Sequence, residues 1–169
     1  LIVTQAFAPL LGADRARQGP KGRIVMISSV GGRRAFPFMG PYHASKFALE
    51  GLSESLRREL MLYGIDVIIV APGAVVTPIW DKAEALDTGP YQATPFGPAL
   101  GKVREIMLAS GRKGLRPERI GLTVAEALEA ARPKVRYEVA PDPLQAWALR
   151  VAPKRLMDRM IARTLGLRS

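Results

Sequence analysis

Two short apolar runs, Arg23-Ile24-Val25-Met26-Ile27-Ser28 and Asp66-Val67-Ile68-Ile69-Val70-Ala71, flank a helical pattern. That arrangement leaves few folds open. Each run is brief, rich in β-branched residues and bounded by Gly or Pro, as expected of a strand buried on both faces of a parallel sheet. Between them, Phe47, Leu49, Leu52, Leu56, Leu60 and Met61 recur at helical spacing over residues 42–63, interleaved with Arg57, Arg58 and Glu59. Gly64 is placed to end that helix. Parallel strands require a crossover of this kind, so a right-handed βαβ unit is expected.

The remaining segments extend the pattern. Residues 1–17 read as a mostly apolar helix with no start signal, one already under way at Leu1 within a longer protein. Residues 77–115 read as irregular and rich in Pro and Gly, with Trp80, Tyr91, Phe96 and a helix over 97–109. Residues 116–131 read as a helix with Pro117 in its first turn. Ile120, Val124, Ala127, Leu128 and Ala131 line one face of it. Residues 135–139 alternate like a strand, and 144–165 form an amphipathic helix broken near Pro153. The fold class expected is α/β, a doubly wound parallel sheet in one domain.

Composition removes several functional classes. A chain of 169 residues with 48% hydrophobic and 24% charged residues is globular. It has no cysteine and one histidine, His43. That excludes disulfides, thiolate metal sites, histidine clusters and a Ser-His-Asp triad. The formal charge is +10, but the basic residues are scattered without an aromatic-interleaved stripe, so no nucleic acid is expected as partner. No run approaches the ~18 apolar residues of a transmembrane helix. The lack of cysteine and of a secretory signal fits a cytoplasmic setting.

Chemistry enters at the end of the first strand. Ser29 follows it, where open α/β sheets place their sites. Tyr42 and Lys46 lie four residues apart on the next helix, about 6 Å along its axis and on one face. A free phenol holds its proton at neutral pH, and a nearby ammonium favours the phenolate. Such a tyrosine can exchange a proton with a substrate oxygen, while a serine hydroxyl donates a hydrogen bond to the same atom. His43 adjoins Tyr42 on a different helical face and reads as structural.

The motif order is specific. Ile27-Ser28-Ser29-Val30-Gly31-Gly32, then Pro37, Tyr42-His43-Ala44-Ser45-Lys46-Phe47-Ala48-Leu49-Glu50-Gly51-Leu52, and Pro72-Gly73-Ala74-Val75-Val76-Thr77-Pro78 resemble the short-chain dehydrogenase/reductase family over about residues 1–80. The stretches around Val30 and Lys46 resemble its steroid and retinol dehydrogenase branch.

The resemblance implies a Rossmann-like catalytic domain over 1–169, with its N-terminal half missing, a substrate lid at 80–115 and a C-terminal helical tail at 144–169. It implies hydride transfer between NAD or NADP and a carbonyl or secondary alcohol on a hydrophobic small molecule. Ser29 would orient the substrate oxygen. Tyr42 would be the general acid or base, and Lys46 would favour its phenolate and hold the nicotinamide ribose. Pro72 and Gly73 would pass close to the nicotinamide, and Val75 and Thr77 would touch the carboxamide and phosphate side of the cofactor. Val30, Phe36, Met39, Ile79 and Trp80 fall where the family lines its substrate pocket.

The chain also departs from the family. Its glycine-rich turn, its Asn-Asn-Ala-Gly run and the proton-relaying Asn are absent, all on one side of residue 1. Gly31-Gly32 precedes no helix suited to a pyrophosphate. Truncation is therefore expected. The resemblance further implies a homo-oligomer, dimer or tetramer, formed through the helix ending near residue 17 and that over 42–63. The basic amphipathic tail is compatible with peripheral membrane contact but is expected to pack against protein. Two other readings stay open: an inactive fragment acting only by association, and a basic nucleic-acid binder.

Overall fold

β2 (Asp66–Pro72) is the axis of the molecule, and everything from Val67 to Pro72 is buried. The computed structural model describes residues 1–167 and their side chains, apart from the side chains at positions 143, 145, 146 and 150. β1 (Arg23–Ile27) and β3 (Arg136–Val139) flank β2 in a three-stranded parallel sheet of order β1-β2-β3. Arg23 pairs with Asp66 and Ile27 with Val70 on one side, and Ile69 with Arg136 and Pro72 with Val139 on the other. Alternation divides β2 between two cores. Ile68 and Val70 pack with Tyr137, Val139 and Ala127, the last from α6 (Pro117–Glu129). Val67, Ile69 and Ala71 point the opposite way, toward the side where α2 (Gly40–Glu59) packs on β2.

β1 differs from expectation. It is only half-buried, and Ile27 is 46% exposed. Among the described residues only β2 pairs with it.

α2 is preceded by Met39 and has Pro41 in its first turn. It passes into a 3₁₀ turn, Leu60–Tyr63, that Gly64 closes in the left-handed conformation at φ 69°. The expected 42–63 helix is thus present, and the apolar stripe turns inward only in part, with Leu49, Leu52 and Leu60 partly buried. Leu56 is buried, whereas Phe47 is 45% exposed and Met61 is also exposed. The other buried positions are His43, Glu50 and Ser53. Each is satisfied within the protein: Ser53 donates to the Leu49 carbonyl at 2.6 Å, and Glu50 is ion-paired.

α1 (Ile2–Ala8) and a π-helical turn, Pro9–Ala13, end the apolar N-terminal segment before residue 17. The region 77–115, expected to be largely irregular, carries α3 (Ile79–Glu84), α4 (Gly89–Gln92) and α5 (Gly97–Arg112). Pro90 and Pro98 occupy the first turns of α4 and α5, where a missing N–H costs nothing. α7 (Pro143–Val151) and α8 (Lys154–Leu165) break at Pro153 as expected. α8 folds back on α5, burying Leu165 with Ala99 and Val103. The last two positions of the 144–169 tail lie outside the described residues.

Candidate active site

The carboxyl ends of β1 and β2 are joined by a serine. Ser28 continues the ladder by donating its N–H to the Val70 carbonyl at 2.8 Å. Ser29 then leaves the strand in extended conformation and caps a 3₁₀ turn, Val30–Gly32, its Oγ accepting from Gly31 N at 3.0 Å. The same hydroxyl donates to the Pro72 carbonyl at 3.3 Å. Ser29 is therefore buried and fixed from both strands.

His43 holds the next loop. Its Nε2 accepts from the Phe36 N–H at 2.9 Å, so Nδ1 carries the proton and donates to the Gly31 carbonyl at 2.8 Å. The buried ring is a neutral strut, as its sequence position implied. Gly31 packs closely beneath it, and a Cβ there would stand 3.0 Å from the ring. His43→Ala is expected to destabilise the protein by about 2 kcal/mol, since it leaves two backbone groups without their partner. Denaturant unfolding checks this, and a change under ~0.5 kcal/mol would contradict the strut assignment.

Tyr42, the neighbour of this strut, is 40% exposed and presents its ring to a cavity. It contacts the His43 ring edge-on at 5.5 Å. Lys46 sits one turn further along α2 and donates from Nζ to the Ile27 carbonyl, the last of β1, at 3.2 Å. Ser29, Tyr42 and Lys46 are thus gathered at one end of the sheet, though Lys46 is not part of the cavity wall.

The cavity has a volume of about 720 Å³. Its wall includes Ser29 and Tyr42, then Pro72, Gly73, Val75 and Thr77 from the segment after β2. Val30, Phe36, Met39, Ile79 and Trp80 complete that side. Every residue named from the sequence except Lys46 therefore borders one space. Sequence reasoning missed the far wall, which α5 supplies through Val103, Ile106 and Met107 and α8 through Met157, Met160 and Ile161. The apolar stripe of the basic α8 was the available signal, but nothing local says what it covers.

A charged network stands behind the site. Buried Glu50 pairs with Arg136 at 3.2 Å and with Arg33 at 3.0 Å. Arg136 also reaches Glu138 at 2.6 Å, and Arg34 reaches Glu138 at 3.1 Å. These contacts tie β3, α2 and the loop after β1 together.

The residues present fit the nicotinamide half of a dinucleotide. Gly73 is anchored by its N–H to the Val139 carbonyl at 2.8 Å, leaving the segment from Pro72 to Thr77 bordering the cavity. The Lys46 ammonium has two N–H groups beyond the one given to Ile27. Gly32 serves internal packing, since a Cβ there would strike Ser28 Oγ and Glu50. Among the described residues no group of side chains could hold a metal, and no helix is long and apolar enough to cross a membrane.

The chain is similar to several known oxidoreductases. The chain is 35% identical over 166 residues to the NADPH-dependent 3-dehydrocapnine reductase of Ornithobacterium rhinotracheale, covering 98% of this chain and 58% of that protein. It is 34% identical over 139 residues to 17-beta-hydroxysteroid dehydrogenase type 1 of Homo sapiens, covering 79% and 40%. A short-chain dehydrogenase from Streptomyces avermitilis superposes with a TM-score of 0.63 at 25% identity, covering 95% of this chain and 54% of that one. The chain thus spans about half the length of the proteins it matches. The profile of the short chain dehydrogenase family matches residues 1–87, more than half of the sequence and the part that carries Ser29, Tyr42 and Lys46, and the chain belongs to that family.

Proposed function

We propose that the whole protein transfers hydride between NAD or NADP and a carbonyl or secondary alcohol on a hydrophobic small molecule. The observation that carries this reading is the meeting of Ser29 and Tyr42 on one cavity wall, with Lys46 at the adjoining strand end. The nicotinamide, when bound, supplies or accepts the hydride. Tyr42 gives the proton to the substrate oxygen in reduction and removes it in oxidation. Ser29 donates a hydrogen bond to that oxygen and fixes its position. Lys46 binds the ribose hydroxyls and keeps a positive charge at the tyrosine's end of the site. Pro72 and Gly73 would hold the nicotinamide ring, and Val75 and Thr77 would contact the carboxamide and phosphate side of the cofactor. Val30, Phe36, Met39, Ile79 and Trp80 receive the apolar body of the substrate.

The full-length protein, mixed with NADPH or NADH and a panel of apolar ketones and aldehydes, is expected to oxidise the nucleotide only when a carbonyl is present. At least one nucleotide is also expected to raise the melting temperature. No carbonyl-dependent oxidation and no thermal shift with either nucleotide would overturn the reading.

A further inference from the structure

Trp80 is pinned back in the cavity wall. Its Nε1 donates to the Val75 carbonyl at 2.7 Å, and its ring lies flat against Gly111 near the end of α5. A Cβ on Gly111 would overlap the indole carbons Cδ2, Cε2 and Cε3. Gly111 is buried and does not itself reach the cavity, whereas Trp80 does. The indole therefore stands between Gly111 and the open space. α3, which carries Trp80, is further tied to α5 by Glu84, whose carboxylate takes two contacts from Arg112 Nη2 at 2.8 Å. The ring has no room to retreat.

The cavity that Trp80 borders is also lined by Met107 on α5 and by Met157 and Met160 on α8. Unbranched thioethers adapt to a flexible occupant better than to a rigid outline. No ion pair is formed by the wall residues of either helix, all of which are apolar apart from Ser110 and Thr164. Thr164 gives its hydroxyl to the Met160 carbonyl at 3.0 Å, so it offers no donor to a ligand.

We propose that Gly111 sets the reach of the cavity: by lacking a side chain it lets Trp80 lie back, and the space so left takes the flexible aliphatic chain of a carbonyl-bearing substrate. The substrate part of this inference rests on the oxidoreductase reading above. The length limit does not.

The test uses the full-length protein and two series of increasing chain length. Straight-chain aldehydes are followed by kcat/KM, and straight-chain alcohols by calorimetric binding. In Gly111→Ala the shortest members are expected to behave as in the wild type, while kcat/KM and affinity for the longest fall about tenfold or more, the scale for lost methylene space. Alanine in a helix otherwise stabilises relative to glycine, so such a loss reports the displaced indole. Gly111→Ala/Trp80→Ala is expected to recover the long members, and Trp80→Ala alone to extend the limit, which keeps the test open should the single alanine variant not fold. An unchanged length profile in Gly111→Ala, or an equal loss at all lengths that Trp80→Ala does not relieve, would overturn the proposal. So would a wild type that binds none of the alcohols. If the length limit shifts in the alcohol series while no aldehyde is consumed, Gly111 keeps its role and the oxidoreductase reading falls instead.

Discussion

Replacing Tyr42 by Phe in the full-length protein is expected to lower kcat by roughly 10²–10⁴-fold, the usual share of a positioned proton donor. Stability and nucleotide affinity should stay close to wild type. The reason lies in what the hydroxyl does in the folded chain. Among the described residues it makes no hydrogen bond, and the ring is 40% exposed beside the cavity. Its contact with His43 involves the aromatic faces and edges, which phenylalanine preserves. The substitution therefore removes one oxygen that makes no hydrogen bond among the described residues. Surface changes that break no buried contact fall within about 0.5 kcal/mol. Steady-state kinetics, nucleotide titration and a thermal melt together check the expectation. A variant with unaltered kcat would take the proton-transfer role away from Tyr42, and one that melts early would mean the hydroxyl holds structure after all.

Arg136→Met is expected to cost about 3 kcal/mol of folding stability, the lower end of the range for removing one partner of a buried ion pair. Arg136 is 8% exposed at its side chain and Glu50 is 7% exposed. With the guanidinium gone, Glu50 keeps only Arg33, which is 44% exposed and partly screened by water. Glu138 keeps Arg34 at 3.1 Å. Both carboxylates thus retain one cation each, which is why the loss sits at the lower end. Glu50→Leu combined with Arg136→Met should recover much of it, because an apolar pair of similar volume carries no desolvation cost. Urea unfolding of the two single variants and the double variant gives the coupling energy directly. Additive losses would show that the two residues stabilise the fold independently.

The fold was legible where local chemistry and tertiary role coincide. β2 reads as a buried strand because both its faces are covered, and the turn at Gly64 reads correctly because its conformation favours a residue without Cβ. Ser29, Tyr42 and the segment from Pro72 to Thr77 were legible because the strand ends that bring them together are marked by short motifs. Other features were hidden for physical reasons. The exposure of Ile27 depends on what lies beside β1, not on β1 itself. The inward face of α2 carries polar residues beside Leu56, since Glu50 is neutralised by Arg33 and Arg136 from elsewhere in the chain, and a helical pattern sought in apolar residues alone misses them. Pro90 and Pro98 begin helices in a stretch whose composition favours loops. The wall made by Met107, Met157 and Ile161 exists only because α8 returns over α5.

The resting partner of Ser29 has an energetic consequence. Its hydroxyl hydrogen points at the Pro72 carbonyl over 3.3 Å, a long bond, while the Gly31 N–H steadies the oxygen. A ligand oxygen entering from the cavity need only swap with one peptide oxygen as acceptor. The hydroxyl keeps an acceptor on either side of the swap, and the cost of turning toward a guest is the loss of one long bond at the Pro72 carbonyl.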